Sequence, residues 1–489
     1  MSLDDIRNER LKKREELLQR GVDPYPAKTG ALSSIGEVIK KFAAFSRRKK
    51  SVTVAGRLMA KREHGGSLFC DLQDESGSIQ LYFKEDVLKD AYRLFLDTAD
   101  IGDFISGEGR AFQTKRGEKT IEVREWRMLA KSLRPLPEKW YGLQDVEERF
   151  RKRYLDLLMN EEVRERFDMR SRVVSFLRHT LEKERFMEVE TPVFHPLPGG
   201  ALARPFATHH NALDIDLYLR IAKELYLKRL LVGGYERIFE IGKDFRNEGI
   251  DATHNPEFTM LELYAAYWDE ERMMAFVESL FLRLVKETIK GRAFSYDGKE
   301  IKWKTPFARM RFTDVLSRYA LIPDYNKETV QTLAVRAKQF GIEAGPGESK
   351  GKIADEIYKK ICRPHLEQPT FVIHHPVDIS PLAKKREENP QETRRFQLIA
   401  GGMELVNGFA ELNDPIDQRE RLREQEKIRS GGDEEAHRID EDFLEAMEYG
   451  MPPTAGIGIG IDRLAMLLTD TKNIREVVLF PTMKPRIHL

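Results

Sequence analysis

Residues 235–264 read YERIFEIGKDFRNEGIDATHNPEFTMLELY, two strand-like runs joined by a charged loop. The first run carries Phe239, Ile241, Phe245, Arg246 and Glu248, and the loop holds Gly249, Asp251, Thr253, His254, Asn255 and Pro256. The second run alternates, with Phe258, Met260, Glu262 and Tyr264 on one face and Thr259, Leu261 and Leu263 on the other. A solvated face would turn its charges to water, and a core face would not place Glu262 beside Phe258 and Tyr264. An aromatic plate, a carboxylate and a phenol, opposite a strand ending in Arg246 and Glu248, suit a flat, charged ligand. An ordinary amphipathic hairpin fits the same alternation, and these residues alone leave both readings open.

The 489 residues suit about three domains. Hydrophobic content of 41% supports a sizeable core, and 33% charged residues suit large solvated surfaces. With a net charge of +1, no global field points to nucleic acid or membrane, so any such surface is local. Cys70 and Cys362 stand alone, without a CxxC, which argues against a zinc site or a disulfide framework and fits a reducing compartment. The start, MSLDDIRNERLKKREELL, lacks the apolar run of a secretory signal. No stretch approaches the roughly 18 apolar residues of a membrane span. The expectation is a cytoplasmic protein with no membrane partner.

Residues 2–20 predict a charged helix, ended by Gly21 and Pro24, whose basic side chains suit either nucleic acid or plain solvation. Between 51 and 134 the texture changes. Short alternating runs at 52–59, 67–74, 79–83, 104–112 and 120–129 are separated by turns at Gly65-Gly66, Gly77 and Gly117, with a helix near 85–97. Five such strands predict a Greek-key barrel of the oligonucleotide-binding type. Basic residues from Arg47 to Lys50, with Arg57, Lys61 and Arg62, gather near its start, and Phe69, Gln80 and Tyr82 suit stacking and hydrogen bonding on one face. A barrel used only as a spacer fits the same pattern.

Pro135 and Pro137 mark a linker over 135–150, after which apolar positions recur at helical spacing up to Phe186. Phe186 to Pro192 reads as a strand ended by proline. Gly199 and Gly200 permit close backbone approach to a ligand, Leu217 to Ile221 reads as a strand, and Glu224 opens a helix. Asp269 to Lys290 is a long amphipathic helix, 291–366 carries no chemical signature, and 371–383 returns to strand character.

Two C-terminal stretches carry chemistry. In QLIAGGMELVNGFAELNDP, 397–415, Glu404 and Glu411 sit among apolar residues, and a buried carboxylate there needs a partner. Asn407, Phe409 and Glu411 share strand parity and Glu404 does not, so a single site containing all four needs a bulge near Gly408 or before Asn407. In GMPPTAGIGIGIDRLAMLL, 450–468, Gly456, Gly458 and Gly460 leave one strand face bare for a ligand or a packed helix. Asp462 is expected to cap the next helix, with Arg463 placed for phosphate at its start. No P-loop, Rossmann fingerprint, HExxH or GxSxG occurs.

Three stretches, in order, resemble the three motifs of class II aminoacyl-tRNA synthetases: Phe186 to Pro192; Phe245-Arg246-Asn247-Glu248 with His254 to Phe258; and Gly456-x-Gly458-x-Gly460-x-Asp462-Arg463. Within the class, RNEGIDATHNPEFTMLELY, VNGFAELNDP, GMPPTAGIGIGIDR and THHNALDIDLYLRIAKELYLKRL resemble the lysine-specific enzymes over nearly the whole chain. The resemblance implies an α+β fold. A helical extension (1–50) precedes a five-stranded OB-fold anticodon domain (51–134), the linker (135–150) and a class II antiparallel sheet flanked by helices (151–489), elaborated over 291–366. It also implies a homodimer that joins L-lysine to the 3′ end of tRNA(Lys) through a lysyl-adenylate made from ATP with more than one Mg²⁺.

The same resemblance assigns side chains. Arg246 and Arg463 would be catalytic, and ATP would lie on Arg246, Glu248, His254, Asn255, Phe258, Glu404 and Arg463. Lysine would be held by Gly200, Glu224, Arg246, Glu262, Tyr264, Asn407, Phe409 and Glu411, with Glu411 taking the ε-ammonium. Glu404 would hold Mg²⁺. Gln397, seven residues earlier, stands where the family has a second acid, which implies weaker or fewer metal contacts. Arg62, Phe69 and Gln80 would read the anticodon. Two other classes remain open at this point. A ligase acting on a protein lysine is disfavoured by the barrel, and a non-catalytic binding protein by the full set of Arg246, Glu248, His254, Glu404 and Arg463.

Overall fold

The computed structural model describes residues 2–48, 50–137, 145–289, 294–345, 347–430 and 436–486. Lys49, Lys290 and the middle of the expected linker lie outside them. The chain divides into two compact units, Met1–Leu143 and Gln144–Leu489.

In the first unit, helix Leu3–Gln19 starts at Ser2, whose hydroxyl accepts from the Asp5 N–H while Asp5 accepts from the Ser2 N–H. Five strands, Ser51–His64, Ser67–Asp74, Gly77–Lys84, Phe104–Gln113 and Lys119–Ala130, close into a barrel. Strict alternation fills its interior with Val54, Leu58, Leu68, Leu72, Leu81, Phe83, Ile105 and Val123. The expected helix is two pieces, Glu85–Leu88 and Asp90–Thr98.

The second unit is built on an eight-stranded sheet. Its spatial order is Ala308–Arg311, Thr370–Ile373, Arg395–Ala400, Met403–Ala410, Thr454–Gly460, Glu257–Ala266, Arg237–Phe245 and Met187–Glu188. Pairing is antiparallel except at the two edges. Leu261, Leu263, Ile457 and Ile459 send one sheet face into the main core, against Leu177 and Leu181 of helix Glu161–Lys183 and Val277, Leu280 and Leu284 of helix Glu270–Ile289.

Several local expectations change. Phe186 to Pro192 gives only the short strand Met187–Glu188, because the Thr191 N–H turns to the buried Glu240 carboxylate and Pro192 has none to offer. Residues 371–383 stop being strand after Ile373: His374 takes a positive φ of 61°, Pro376 follows, and Val377–Ile379 is a 3₁₀ turn. The first strand of the hairpin ends at Phe245, so Arg246 and Glu248 belong to the loop. Within 291–366, helices Phe312–Ala320, Val330–Gln339 and Lys350–Ile357 build a core of their own around Phe312, Leu333 and Ile357, which includes Val372 and Ile399 of the sheet. Among the described residues no helix is long and apolar enough to cross a membrane.

Candidate active site

A cavity of about 620 Å³ lies on the sheet face opposite the main core. Phe258, Met260, Glu262 and Tyr264 line it from one strand, and Glu404, Asn407, Phe409 and Glu411 from another. The second set is possible because of a bulge. Leu398 pairs with Val406 and Ile399 with Glu404, so Leu405 is the extra residue and Glu404 joins the parity of Asn407. The bulge falls before Asn407, at one of the two places the parity argument allows. Between these strands run Gly456, Gly458 and Gly460. A Cβ on Gly456 would stand 2.3 Å from Glu411 Oε1 and 2.5 Å from the Tyr264 ring, so its bareness lets both side chains lie across the strand.

One end of the cavity is acidic. Lys228 Nζ lies 2.6 Å from Glu224 Oε1 and 2.5 Å from Glu411 Oε2, with all three side chains buried. Burial drives the Glu411 and Glu224 carboxyls above their ordinary value, and Lys228 pulls both back. Burial also opposes the charge on Lys228, but Glu224 and Glu411 outweigh it and raise its pKa. Both Glu411 oxygens are buried without a hydrogen-bond partner, so Oε2 meets Lys228 as an ion pair only. Glu262 accepts from the Lys223 N–H at 3.0 Å and from the Tyr264 hydroxyl at 3.1 Å. Burial pushes it up to about 7, against the pull of Lys223. The Lys223 ammonium itself is taken by Asp244, at 2.8 and 2.9 Å. His437 beside them is driven down to about 4 by burial and by Lys228, so it is neutral at pH 7. Glu224 and Glu411 therefore share Lys228, while Glu262 lies 4.0 Å from the Lys223 ammonium that Asp244 already holds. Gly200, with φ +87°, packs its backbone against Ala222 and Glu224 at the rim. Arg395 donates to Asn407 Oδ1 at 2.9 Å and fixes which way that amide points.

The other end is cationic. The Arg246 N–H donates to Pro256 O at 2.8 Å, closing the loop, and its guanidinium lies 5.0 Å from the Phe258 ring centroid. Asp251 accepts from the Thr253 and His254 N–H groups and from His254 Nδ1. Burial opposes the Asp251 charge, but these donors prevail and hold its carboxyl at about 2. The Nδ1–H bond leaves His254 Nε2 as an acceptor, 3.4 Å from Arg463 Nη2. Arg463 Nη1 donates to the Glu404 carbonyl at 3.4 Å. Asn255 donates to Glu257 O at 2.7 Å and shapes the loop, while Glu248 stands exposed on it. Asp462 is a correction. The helix Ile461–Leu468 is capped by Gly460, and Asp462 lies inside it, accepting from the Thr259 N–H and from Arg170. It bonds the hairpin to the helix and leaves Arg463 directed at the cavity.

The donor set decides what Gln397 does. Its Nε2–H donates to Glu404 Oε2 at 2.9 Å, and its Oε1 accepts from the Tyr358 hydroxyl at 3.0 Å. A carboxylate only accepts, so the amide must turn its nitrogen to Glu404. Its carbonyl is thus committed away from the cavity. No group of three acidic, His or Cys side chains converges as a metal cage among the described residues. Glu404 is the carboxylate that would hold a magnesium ion here, an ion commonly bound through one or two carboxylates plus substrate phosphate.

The profile of tRNA synthetases class II (D, K and N) matches residues 145–484, and that of an OB-fold nucleic acid binding domain matches 52–129. The chain belongs to the class II tRNA synthetases. It is 49% identical over 483 residues to the lysine–tRNA ligase of Moorella thermoacetica, covering 99% of this chain and 98% of that one. It is 49% identical over 486 residues to that of Carboxydothermus hydrogenoformans, covering 99% of each, and 46% identical over 491 residues to that of Enterococcus faecalis, covering 99% and 98%.

In this synthetase the barrel carries a second candidate surface. Phe69 stacks on Tyr82 with ring centroids 4.5 Å apart, and Arg62, opposite Phe69 on the neighbouring strand, is held by both oxygens of Asp71 at 2.9 and 2.6 Å. Gln80 Oε1 accepts from the Thr120 hydroxyl at 3.0 Å. The three side chains thus share one partly exposed outer face, each preset by a neighbour.

Sequence reasoning missed Lys228, Tyr358, Arg363 and Arg395. Only Lys228 left a signal: Glu224 and Lys228 are four residues apart on a predicted helix, a spacing that pairs charges. The others act on partners remote in the chain.

Proposed function

We propose that this synthetase activates L-lysine with ATP and passes it to tRNA(Lys). The observation that carries the substrate is the acidic end: the buried carboxylates Glu224, Glu262, Glu411 and Asp244 outnumber the ammonium groups of Lys223 and Lys228, and a Glu411 without hydrogen-bond donors favours a ligand bringing further positive charge. The cationic end, with Arg246, His254 and Arg463, favours a polyanion. Phe258 and Tyr264 lie six residues apart on one strand face, about 20 Å, which accommodates a nucleotide and an amino acid end to end.

In the first step a lysine carboxylate oxygen attacks the α-phosphorus of ATP, the bond to the bridging oxygen breaks and pyrophosphate leaves. No protein nucleophile is needed. Arg246, at the cationic end beside Phe258, aligns carboxylate and α-phosphate and offsets the charge that develops. Arg463 and His254 hold the outer phosphates, and the Phe258 face takes adenine, with Glu248 and the Asn255 loop at its edge. Glu411 accepts the ε-ammonium, supported by Tyr264, Glu262 and Phe409, while Glu224, the Gly200 backbone and Asn407 orient the α-amino and carboxylate groups. Mg²⁺, held by Glu404 and phosphate, supplies charge neutralisation when bound. In the second step a hydroxyl of the terminal ribose of the tRNA attacks the lysyl carbonyl and AMP leaves.

The barrel face of Arg62, Phe69 and Gln80 reads the anticodon, by stacking on Phe69 and hydrogen bonding to its neighbours. Met187, Val193 and Phe194 are large and exposed beside the edge strand Met187–Glu188, which supports a homodimer through this edge. The protein works in the cytoplasm, where its tRNA substrate is. ATP–pyrophosphate exchange against the twenty amino acids tests the reading: lysine alone is expected to stimulate it, and stimulation by another amino acid, or by none, overturns it.

A further inference from the structure

The elaborated region 291–366 reaches the cationic end of the cavity. Helix Lys350–Ile357 runs into a widened π-turn, Tyr358–Cys362, and then a 3₁₀ turn, Arg363–His365. Such wide turns re-aim the residues that follow them and recur at functional sites. Here the turn is clamped by the Tyr358 hydroxyl on Gln397 at 3.0 Å, and Gln397 in turn is bonded to Glu404 at 2.9 Å. Arg363 emerges next to this chain, its Nη1 3.9 Å from Glu404 Oε2. That distance is an ion pair without a hydrogen bond, and the guanidinium lines the cavity together with Arg246 and Arg463.

The charges at this end do not balance. Arg246, Arg363 and Arg463 face Glu404 and Asp251, and Asp251 is already spent on its own loop and on His254. Lys359 is likewise taken by Asp355 at 2.8 Å and Glu356 at 3.1 Å. Glu248 and the Asp355–Glu356 pair also line the cavity, but among the described residues Glu404 is the one carboxylate within ion-pair distance of any of the three guanidinium groups, and it reaches only Arg363.

We propose that Arg363 is a third guanidinium ligand of the nucleotide, joining Arg463 on its outer phosphates and aimed by the Tyr358–Gln397–Glu404 chain. This rests on the reading of the cavity as an ATP site. It gives 291–366 a task in substrate binding. It also gives Gln397 one, as the neutral link that keeps Glu404 beside an arginine.

The test is equilibrium binding of ATP and of AMP to the full-length protein by calorimetry, in EDTA and with saturating Mg²⁺. Arg363→Gln is expected to weaken ATP about tenfold or more, the cost of one charge-assisted hydrogen bond, while AMP and lysine affinities stay within about twofold. The deficit is expected to be larger in EDTA, where no divalent cation shares the phosphate charge. Arg363→Met, which keeps the apolar stem, carries the same comparison if the glutamine variant does not fold. An unchanged ATP affinity, or an equal loss for ATP and AMP, overturns the assignment and leaves the ATP site standing. A wild-type protein that binds neither nucleotide removes the ATP reading and this proposal with it.

Discussion

Lys228 Nζ lies 2.5 Å from Glu411 Oε2, in a pair closed to solvent, yet Glu411 Oε1 has no hydrogen-bond partner. The internal ammonium neutralises the carboxylate as an ion pair, while neither Glu411 oxygen makes a hydrogen bond. On the proposed reading, a substrate ammonium would supply the missing donors.

Glu411→Gln keeps the shape and removes the charge. Lysine KM in pyrophosphate exchange is expected to rise about ten- to a hundredfold, the worth of a hydrogen bond to a charged group, with ATP KM nearly unchanged. Preserved lysine KM would move the ε-ammonium away from Glu411.

Glu262 is expected to make ligand binding at the acidic end depend on pH. Its folded pKa of about 7 exceeds its ordinary 4.5, so between these values the folded protein keeps a proton the unfolded chain has lost. The stability from this group is therefore full below about 4.5, falls as pH rises to about 7, and is level above that. A bound ammonium favours the ionised carboxylate, so lysine binding near neutrality is expected to release a proton and to tighten from about pH 6 to about 8. Calorimetry in buffers of different ionisation enthalpy reads that proton. An identical pH slope in Glu262→Gln would assign the titration to another group.

Gln397→Glu replaces a donor to Glu404 by a second carboxylate. Without metal, urea denaturation is expected to show a loss of about 1–3 kcal/mol, since Glu404 loses its partner and gains a like charge. Mg²⁺ is expected to restore this stability and to act at lower concentration in pyrophosphate exchange than in the parent. If neither stability nor exchange responds differently to Mg²⁺, position 397 has no bearing on the metal.

Phe69→Ala removes the plate that stacks on Tyr82. Aminoacylation kcat/KM for the tRNA is expected to fall by about 1–3 kcal/mol, roughly five- to a hundredfold, while pyrophosphate exchange is unchanged. Equal losses in both assays would take Phe69 out of anticodon reading.

Much of this architecture is legible in the chain because it is local. The barrel strands follow from alternation between glycine turns, and the bulge at Leu405 follows from the parity of Glu404 against Asn407 and Glu411. Misreadings occur where a long-range partner overrides a local pattern. Residues 374–383 look like a strand until His374 turns left-handed and the prolines withhold donors. Asp462 looks like a helix cap, yet the cap is Gly460 and the carboxylate goes to Thr259 and Arg170. The region 291–366 looks inert because Tyr358 and Arg363 find their partners only across the fold.

The sequence by itself determined which faces are apolar, where glycine leaves a strand bare, and which residue types stand ready on the hairpin 235–264. These depend on periodicity and on backbone sterics, which act between near neighbours. Only the tertiary structure decided the electrical character of the site. It set Lys228 between Glu224 and Glu411, made Gln397 a hydrogen-bonded bridge between Tyr358 and Glu404, and brought Arg363 beside Glu404. The energy of a charge depends on its distance to other charges and on the water removed from around it, and both are known only once remote segments have met.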